Sequence, residues 1–244
     1  MVHVERGGDG PLLVLLHGLG ATAEVWAGVV AHWPGSWLAV DLPGHGRSPG
    51  LERYSFGSFA AAVAPVVPAG PVAVLGHSLG GVVALTLAGG WFGVDVRAVA
   101  GVGVKLRWSP DDLARAAAIA AKPAKTFPTR EEAVERASKL AGVPLAHGVV
   151  EGPGGWRPAL DQAAFGVGAP DVAGLLATAK APVTLAAGET DHLCPPADLL
   201  AADPGGMVLA GVGHNAHVDQ PESITPVLER LITGWDTSRH PVGR

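Results

Sequence analysis

Cysteine is almost absent from this chain of 244 residues, because Cys194 is the only one. A single thiol excludes a disulfide within the chain and leaves a cysteine-based metal site without its set of ligands. The ten histidines do not compensate, since no pair has the H-E-x-x-H or H-x-x-x-H spacing that brings two imidazoles to one helix face. We therefore expect no metal site and a small, buried, unreactive Cys194.

Charge is also scarce, at 16% of residues with a net charge of −5, and lysines and arginines form no run. Such a chain lacks the basic patch of a nucleic-acid-binding protein and the polybasic segment of a membrane anchor. No apolar run reaches the roughly 18 residues that cross a bilayer, and the amino terminus lacks the apolar core of a signal peptide. We expect a soluble, cytoplasmic protein with no nucleic-acid or membrane partner; the oligomeric state is left open.

Short apolar segments bounded by glycine or proline alternate with segments that suit helices. The strand candidates are PLLVLLHG, SWLAVDLPG, PVAVLGHS, VRAVAGVGV, APVTLAAGETD and GGMVLAGVGH, and the helix candidates are Ala21–Val30, Phe56–Val67, Leu79–Ala88 and Glu222–Thr233. Continuous apolar runs of this length are typical of strands buried on both faces of a parallel sheet. The predicted class is α/β, with a mostly parallel central sheet flanked by helices.

The alternation stops between residues 106 and 177, where no buried-strand run occurs. Two helix starts lie there: Ser109 precedes Pro110 in SPDD, and Thr129 opens the capping box TREE. We predict a helical cap, or lid, inserted between two late strands, with its glycine- and proline-rich part (141–160) as loop or hinge. The alternative is a solvated extension with no role at a pocket.

The whole chain is expected to form a single domain. Residues 1–105 and 178–235 together make the predicted α/β core, and residues 106–177 make the cap. The polar residues 236–244 are predicted to fray, as chain ends commonly do.

A serine lies between glycines where one predicted strand meets a helix, in the segment Gly76-His77-Ser78-Leu79-Gly80. A strand that turns at once into a helix holds its serine in a strained conformation at the carboxyl edge of the sheet. Side chains at the two glycine positions would collide there. We predict that Ser78 is a nucleophile; the alternative is an ordinary strand-to-helix loop.

A serine hydroxyl needs a base to take its proton, and the base works better when a carboxylate holds its tautomer. Asp191 ends the segment PVTLAAGETD and His214 ends MVLAGVGH, so both follow strands and lie at the same sheet edge as Ser78. The chain order serine, aspartate, histidine is the one expected for a nucleophile on this type of turn. Glu189, two residues before Asp191, is the competing acid.

Five segments occur in a familiar order: HGLG (17–20), DLPGHGRS (41–48), GHSLGG (76–81), GETDHLCP (188–195) and GVGHNAHVDQPE (211–222). Together they resemble the α/β-hydrolase superfamily, in its small single-domain form with a short helical cap. The resemblance implies that Ser78 is the nucleophile, His214 the general base and Asp191 its orienting carboxylate. It also implies an oxyanion hole made by the backbone N–H groups of Leu19 and Leu79.

Members of this family that cleave carbon–halogen bonds or epoxides carry aspartate at the elbow, so a serine there implies acyl transfer. The expected reaction is cleavage of a small carboxylic ester, lactone or thioester through an acyl-enzyme, with no cofactor. Three alternatives stay open, because one fold serves many functions: a carbon–carbon bond hydrolase, a lyase that uses the triad for proton transfer, and a receptor for a small ligand.

The resemblance also assigns supporting roles to other polar side chains. In the family the base directly follows the glycine after the strand, so His217 is expected to be a supporting or surface histidine. His77 and His192 flank triad positions and are predicted to be structural or to line the pocket. Asp41 and His45 are expected to fix a loop beneath the site.

The substrate pocket is predicted from aromatic side chains of the cap and of the segment after HGLG. The pocket candidates are Trp26, Trp108, Trp156 and Phe165, with Leu106, Ile119 and Phe127 as further apolar cap residues. They suggest a small-molecule substrate with an apolar part, and the alternative is that they only pack the cap on the sheet. Arg107 and Arg157 either hold a substrate carboxylate or are solvated charges.

Overall fold

The computed structural model describes residues 1–239. Its strands, in chain order, are β1 (Val4–Gly7), β2 (Leu12–Leu16), β3 (Trp37–Val40), β4 (Pro71–His77), β5 (Asp95–Val102), β6 (Val149–Gly152), β7 (Gly155–Pro158), β8 (Val183–Gly188) and β9 (Met207–Leu209). Seven of them form one sheet in the order β1-β3-β2-β4-β5-β8-β9, and β6 pairs only with β7. All pairings in the large sheet are parallel except that of β1 with β3. The predicted α/β class with a mostly parallel sheet is confirmed.

Helices follow most of the strands of the large sheet. The α-helices are α1 (Phe56–Val63), α2 (Leu79–Ala88), α3 (Pro110–Ala120), α4 (Arg130–Ala141), α5 (Val172–Thr178), α6 (Pro196–Ala202), α7 (Ala216–Asp219) and α8 (Thr225–Arg239). Short 3₁₀ segments cover Ala23–Trp26, Val29–His32, Ala64–Val66, Gln162–Val167 and Pro221–Ile224. The helix predicted at Ala21–Val30 is thus two 3₁₀ turns, whereas Leu79–Ala88 is helical over the predicted range.

The core lies on both faces of the large sheet because alternate side chains of each buried strand point to opposite faces. On β2, Leu13 and Leu15 pack on one face with α8, and Val14 and Leu16 pack on the other face with α1 and α2. Of the seven strands in the large sheet, only the edge strand β1, whose sequence VERG is partly exposed and polar, was not predicted. It lacks the apolar run by which the other strands were recognised.

The segment between β5 and β8 contains the two predicted helix starts. Ser109 Oγ accepts a hydrogen bond from the Asp112 N–H (3.1 Å), and the Asp112 carboxylate accepts one from the Ser109 N–H (3.1 Å), which completes a capping box for α3. Thr129 Oγ1 caps α4 by accepting a hydrogen bond from the Glu132 N–H at 3.2 Å. The insertion is therefore built from helices whose first residues stabilise them.

The glycine- and proline-rich part of this insertion differs from the prediction of a loop or hinge. It contains the antiparallel hairpin β6–β7, and Trp156 of β7 exchanges two backbone hydrogen bonds with Phe127 (2.7 and 2.8 Å). Strands of four residues that flank a glycine turn are too short to show an alternating pattern. The pairing with Phe127 comes from a distant part of the chain, and no local pattern predicts it.

Helix α5 and the end of α8 lie at the predicted limits of the cap and tail. Helix α5 falls within the predicted range 106–177 except for Thr178, but its buried Val172 belongs to the cluster that α2 forms on the sheet. By its contacts, α5 is part of the core layer. In the predicted tail 236–244, the backbone is helical to Arg239 as the end of α8, and residues 240–244 lie outside the described residues.

Several hydrogen bonds join the inserted segment to the core. The Glu24 carboxylate accepts hydrogen bonds from the N–H groups of Ala146 (2.8 Å) and His147 (3.1 Å), beyond the end of α4. The Tyr54 hydroxyl also donates to the Asp161 carboxylate at 2.7 Å. Separately, none of the helices within residues 1–239 is long and apolar enough to cross a membrane.

Candidate active site

Ser78 joins β4 to α2 in a strained turn, with φ of 51° and ψ of −114°. Among residues 1–239 it is the only one other than glycine with a positive φ. Such strain persists where the surrounding structure enforces it. The Ser78 N–H donates to the Val102 carbonyl at the end of β5 (2.8 Å), and α2 behind it is buried along nearly its whole length. Two packed elements therefore fix the backbone of Ser78 at the carboxyl edge of the sheet.

Two glycines allow this turn by bringing three backbones into contact. A methyl group on Gly76 would lie 2.1 Å from the Gly80 carbonyl oxygen, and one on Gly80 would lie 2.1 Å from the Leu16 carbonyl oxygen. No side chain fits at such distances, so the collision expected from the sequence is confirmed. Helix α2 packs directly against the carboxyl ends of β2 and β4, and this close packing determines where Ser78 lies.

Asp191 and His214 form a hydrogen-bonded pair at the ends of β8 and β9. Asp191 Oδ2 lies 2.9 Å from His214 Nδ1, and the other carboxylate oxygen accepts the N–H groups of Leu193 (2.8 Å) and Cys194 (3.0 Å). Burial acts to raise the pKa of Asp191, but the bond and charge of His214 and the two N–H donors outweigh it, so the pKa is lowered. Asp191 is therefore a carboxylate that holds the Nδ1–H of His214 and leaves Nε2 as the free basic nitrogen.

Glu189 does not reach this pair. Its side chain lies at the surface, where its carboxylate accepts a hydrogen bond from the Gly211 N–H at 2.9 Å. Of the two candidate acids, Asp191 is the one that contacts His214. The sequence placed both after the same strand, and the turn after β8 decides which of them points inward.

Gly103, directly after β5, is a site residue that the sequence analysis did not single out. It has a φ of 65°, and a methyl group there would lie 3.1 Å from the His214 ring and 3.3 Å from Asp191 Oδ2. The Asp191–His214 pair thus packs against bare backbone. The available signal was a glycine just past a buried strand, at the same sheet edge as the other site residues.

The loop after β2 brings a backbone N–H toward Ser78. His17 is fully buried; its Nε2 accepts the Leu42 N–H (2.9 Å) and its Nδ1–H donates to the Gly18 carbonyl (2.8 Å). In a trans peptide the C=O and N–H point to opposite sides, so holding the Gly18 carbonyl directs the Leu19 N–H the other way. Neither the Leu19 nor the Leu79 N–H has a hydrogen-bond partner within the described residues, and both residues border one cavity with Ser78.

His77 connects the separate loops of the site. Its Nε2–H donates to the His214 carbonyl at 2.9 Å, and its ring lies 4.7 Å from the His214 ring and 4.2 Å from the His217 ring, centroid to centroid. A methyl group on Gly18 would lie 2.7 Å from His77 Nδ1, so the ring also contacts the loop before Leu19. Of the two roles predicted for His77, these contacts favour the structural one, because its ring touches both loops that flank Ser78.

Four histidines in this part of the core are buried and uncharged near neutral pH. Burial lowers the pKa of His17 and His77, and it lowers the pKa of His45 and His217 to about 3. His192, in contrast, is exposed. Within the part of the chain that the structure describes, no group of three or more histidine, cysteine or acidic side chains is arranged to hold a metal ion.

Two other polar predictions concerned Asp41 and Cys194. The buried Asp41 carboxylate accepts the N–H groups of Ala23 (2.7 Å) and Arg47 (2.9 Å), so it ties the loop after β3 to the segment that follows Leu19. Burial raises the pKa of the Cys194 thiol to about 12, with the charges of Asp191 and Asp198 adding to the effect. Cys194 is thus a buried, protonated thiol.

A cavity of about 140 Å³ opens beside Ser78 beneath the inserted segment. Its walls include two of the four predicted pocket aromatics, Trp108 and Phe165. The other two lie elsewhere: Trp26 is buried beneath the site with its ring 4.8 Å from that of His217, and Trp156 belongs to the hairpin beside Phe127. The packing of the whole fold determines where these two tryptophans lie, and residue type alone does not predict their positions.

Neither of the two candidate arginines is among the described residues that line this cavity. Arg107 is 73% exposed and forms an ion pair with Asp198 at 2.8 Å, and Arg157 is exposed on the hairpin. Both arginines are therefore solvated charges, which was the second of the two predictions for them.

Known proteins resemble the chain at two levels. A family model described as the alpha/beta hydrolase family matches residues 13–225. A pimeloyl-[acyl-carrier protein] methyl ester esterase of Aeromonas hydrophila subsp. hydrophila is 47% identical over 91 residues, which is 36% of this chain and 35% of that protein. The lipase LipV of Mycobacterium tuberculosis is 40% identical over 93 residues, or 36% of each chain. The match therefore spans about a third of the length of these curated relatives.

Among solved structures, the crystal structure of E-2-(acetamidomethylene)succinate hydrolase superposes with a TM-score of 0.79 at 22% identity and covers 95% of both chains. At that identity the likeness establishes the fold. It extends over the inserted segment as well as the sheet, because nearly the whole of each chain is covered.

The buried histidines predict that the folded state loses stability as the pH falls below about 6.5. The unfolded chain binds protons near the ordinary histidine pKa of about 6.5, whereas His217 in the folded state does so only near 3. The free energy of unfolding therefore has its full value above pH 6.5. Below that pH it falls by up to about 1.4 kcal/mol per pH unit for each such histidine. Urea unfolding at pH 7.5 and 5.5 measures the loss.

The variant His217→Phe keeps a ring in contact with Trp26 and removes the titrating nitrogen. We expect its free energy of unfolding to fall less between these pH values than that of the wild type. His192→Phe, at an exposed histidine, is the matched control and keeps the wild-type difference. Equal pH dependence in all three proteins would contradict the prediction.

Proposed function

This chain belongs to the α/β-hydrolase family, and from that premise we propose that it is a serine hydrolase that cleaves a small ester-like substrate. The nucleophile is Ser78, the general base is His214 and the orienting acid is Asp191. Leu19 and Leu79 supply the two N–H groups of the oxyanion hole. The substrate is a small molecule with an apolar part.

One observation carries the proposal: a buried carboxylate holds a partly buried imidazole at the sheet edge where a strained serine lies near two backbone N–H groups that have no partners among the described residues. The Asp191 Oδ2 to His214 Nδ1 distance of 2.9 Å leaves His214 Nε2 free to take a proton. Backbone strain at a single serine costs free energy and is typical of functional sites. A purely structural turn gives no reason to combine these three features.

In the proposed reaction, Ser78 Oγ attacks the substrate carbonyl carbon and its proton passes to His214 Nε2. The negative charge that develops on the carbonyl oxygen is stabilised by the N–H groups of Leu19 and Leu79, which are already in place before reaction. Asp191 stabilises the charged imidazole. His214 then protonates the leaving oxygen as the alcohol departs. A water molecule next gives a proton to His214 and attacks the acyl carbon, and His214 returns that proton to Ser78 Oγ as the acid is released.

The similarity to proteins named as methyl ester esterases and as a lipase supports ester cleavage. Because the match spans about a third of those proteins, their substrates are not transferred to this chain. We also propose a cytoplasmic location, which the single free cysteine, buried as Cys194, supports.

The acid assignment predicts a sharp difference between two conservative variants. Asp191→Asn should lower kcat for a p-nitrophenyl ester by about 10⁴-fold, because an amide at this position favours the wrong imidazole tautomer. Glu189→Gln, two residues away at the surface, should retain wild-type kcat. Loss of activity in Glu189→Gln with Asp191→Asn active would reverse the assignment of the acid.

The nucleophile assignment has its own test. Ser78→Ala should abolish both turnover and the mass increase that fluorophosphonate treatment gives in wild type.

His77 predicts a positioning effect. Without the hydrogen bond from His77 to the His214 carbonyl, the base is held less firmly in position relative to Ser78. A misplacement of about 1 Å costs roughly 10²-fold in rate. We expect His77→Ala to lower kcat by 10-fold to 100-fold with KM nearly unchanged, and His77→Gln, which keeps a side-chain N–H donor, to recover part of it. Steady-state kinetics on both variants checks this, and a rise in KM at constant kcat would contradict it.

A further inference from the structure

The cavity beside Ser78 is small and its wall is almost entirely apolar. It measures about 140 Å³, and Ser78, Leu79 and Leu19 are among the residues that border it. The remainder of the wall includes Phe56, Val82, Ala116 and Phe165, contributed by the core and by the inserted segment. The proposed nucleophile and the residues of both proposed oxyanion donors thus border one pocket.

The position of His214 decides which half of an ester enters this pocket. Among the described residues that border the cavity, His214 is absent. The leaving oxygen has to approach His214 Nε2 to receive its proton, so the leaving group lies on the side of Ser78 away from the cavity. The acyl group, which stays bonded to Ser78 Oγ, is the part that occupies it.

The volume limits the size of that acyl group. An apolar protein cavity of about 150 Å³ accommodates benzene, which has six non-hydrogen atoms. A pocket of about 140 Å³ therefore takes an apolar group of roughly the same size. Protein interiors are close-packed, so the end of a longer chain either displaces the walls or lies outside the pocket without these apolar contacts.

Lys105 is the one charged residue among the described lining residues of the cavity. Its Nζ is already 2.9 Å from Asp112 Oδ2 and lies 4.8 Å from the centre of the Trp108 ring. This ion pair lowers the pKa of Asp112, which also accepts hydrogen bonds from Ser109 and Arg115. The positive charge of Lys105 is balanced within the protein, so the pocket offers no uncompensated charge to an anionic acyl group.

We infer that this chain is selective for short, uncharged acyl groups whose hydrocarbon part, beyond the carbonyl, has about six carbon atoms or fewer, held between α2, α3 and the segment around Phe165. The inference rests on the proposed function, since it assumes an acyl group on Ser78. It names the substrate class of that site: esters of short aliphatic or small aromatic acids.

The first experiment measures kcat/KM for p-nitrophenyl acetate, butyrate, hexanoate, octanoate and decanoate, which share one leaving group. We expect a maximum at butyrate or hexanoate and a fall of at least about tenfold by octanoate, since one methylene in a tight pocket changes rates by tenfold or more. A rate that stays level or rises from hexanoate to decanoate overturns the inference.

Two variants change the pocket in opposite directions. Ala116→Leu on α3 fills the cavity and should move the optimum to acetate, and Phe165→Ala enlarges it and should move the optimum to octanoate or beyond. Ala118→Leu adds the same side chain to an exposed position of the same helix and should leave the wild-type profile. Because α3 has no buried residues, Ala116→Leu keeps the test decisive if Phe165→Ala fails to fold.

The charge arm compares p-nitrophenyl hexanoate with the p-nitrophenyl monoester of glutaric acid, which carries a terminal carboxylate. Wild type should prefer hexanoate. Asp112→Asn releases Lys105 from its partner and should shift the ratio of kcat/KM about fivefold toward the charged ester. A wild-type preference for the charged ester would overturn the uncharged part of the inference.

Fluorophosphonate labelling separates this inference from the function on which it rests. If Ser78 is labelled and esters are hydrolysed without a length limit, the acyl-size inference fails and the serine hydrolase remains. If Ser78 is not labelled and no ester of any length is turned over, the proposed function fails and the inference fails with it.

Discussion

The contact of α2 with the carboxyl ends of β2 and β4 is the constraint on which the rest of the site depends. It requires glycine at positions 76 and 80, because backbone atoms there approach to distances that exclude a methyl group. It also forces Ser78 into a conformation that side chains rarely adopt, which packing on both sides maintains. Hydrophobic burial of α2 and the strands thus stabilises an arrangement that local backbone preferences disfavour.

Near this turn, neutral histidines occupy positions in the core that are mostly apolar elsewhere in the described residues. An imidazole is flat enough to pack like an apolar ring and still has one donor and one acceptor nitrogen. His17 uses both to orient the peptide before Leu19, and His77 uses its donor to hold the loop of His214. The site is therefore held by directional bonds inside a buried, uncharged cluster, and Asp191 is the carboxylate that contacts His214.

The placement of the proposed catalytic residues was predictable because they follow strand ends, and parallel strands bring their carboxyl ends to one edge. Ser78, Asp191 and His214 all meet this rule, and the apolar runs before them are unambiguous. Trp26 and Trp156 were placed at the pocket from residue type alone, and three-dimensional packing put them elsewhere. Gly103 and the bonds of His17 depend on which loops become neighbours, a property that no local pattern encodes. The hairpin β6–β7 was missed for the same reason.

The proposed mechanism requires that the acyl group of the substrate becomes covalently attached to Ser78. To test this, a reaction with p-nitrophenyl butyrate is quenched in acid within milliseconds and the added mass is located by peptide mapping. The mechanism predicts a butyryl group on the peptide that contains Ser78, formed as fast as p-nitrophenol is released and absent in Ser78→Ala. Rapid release of p-nitrophenol with no acyl group on Ser78, or with the acyl group on another residue, would contradict it.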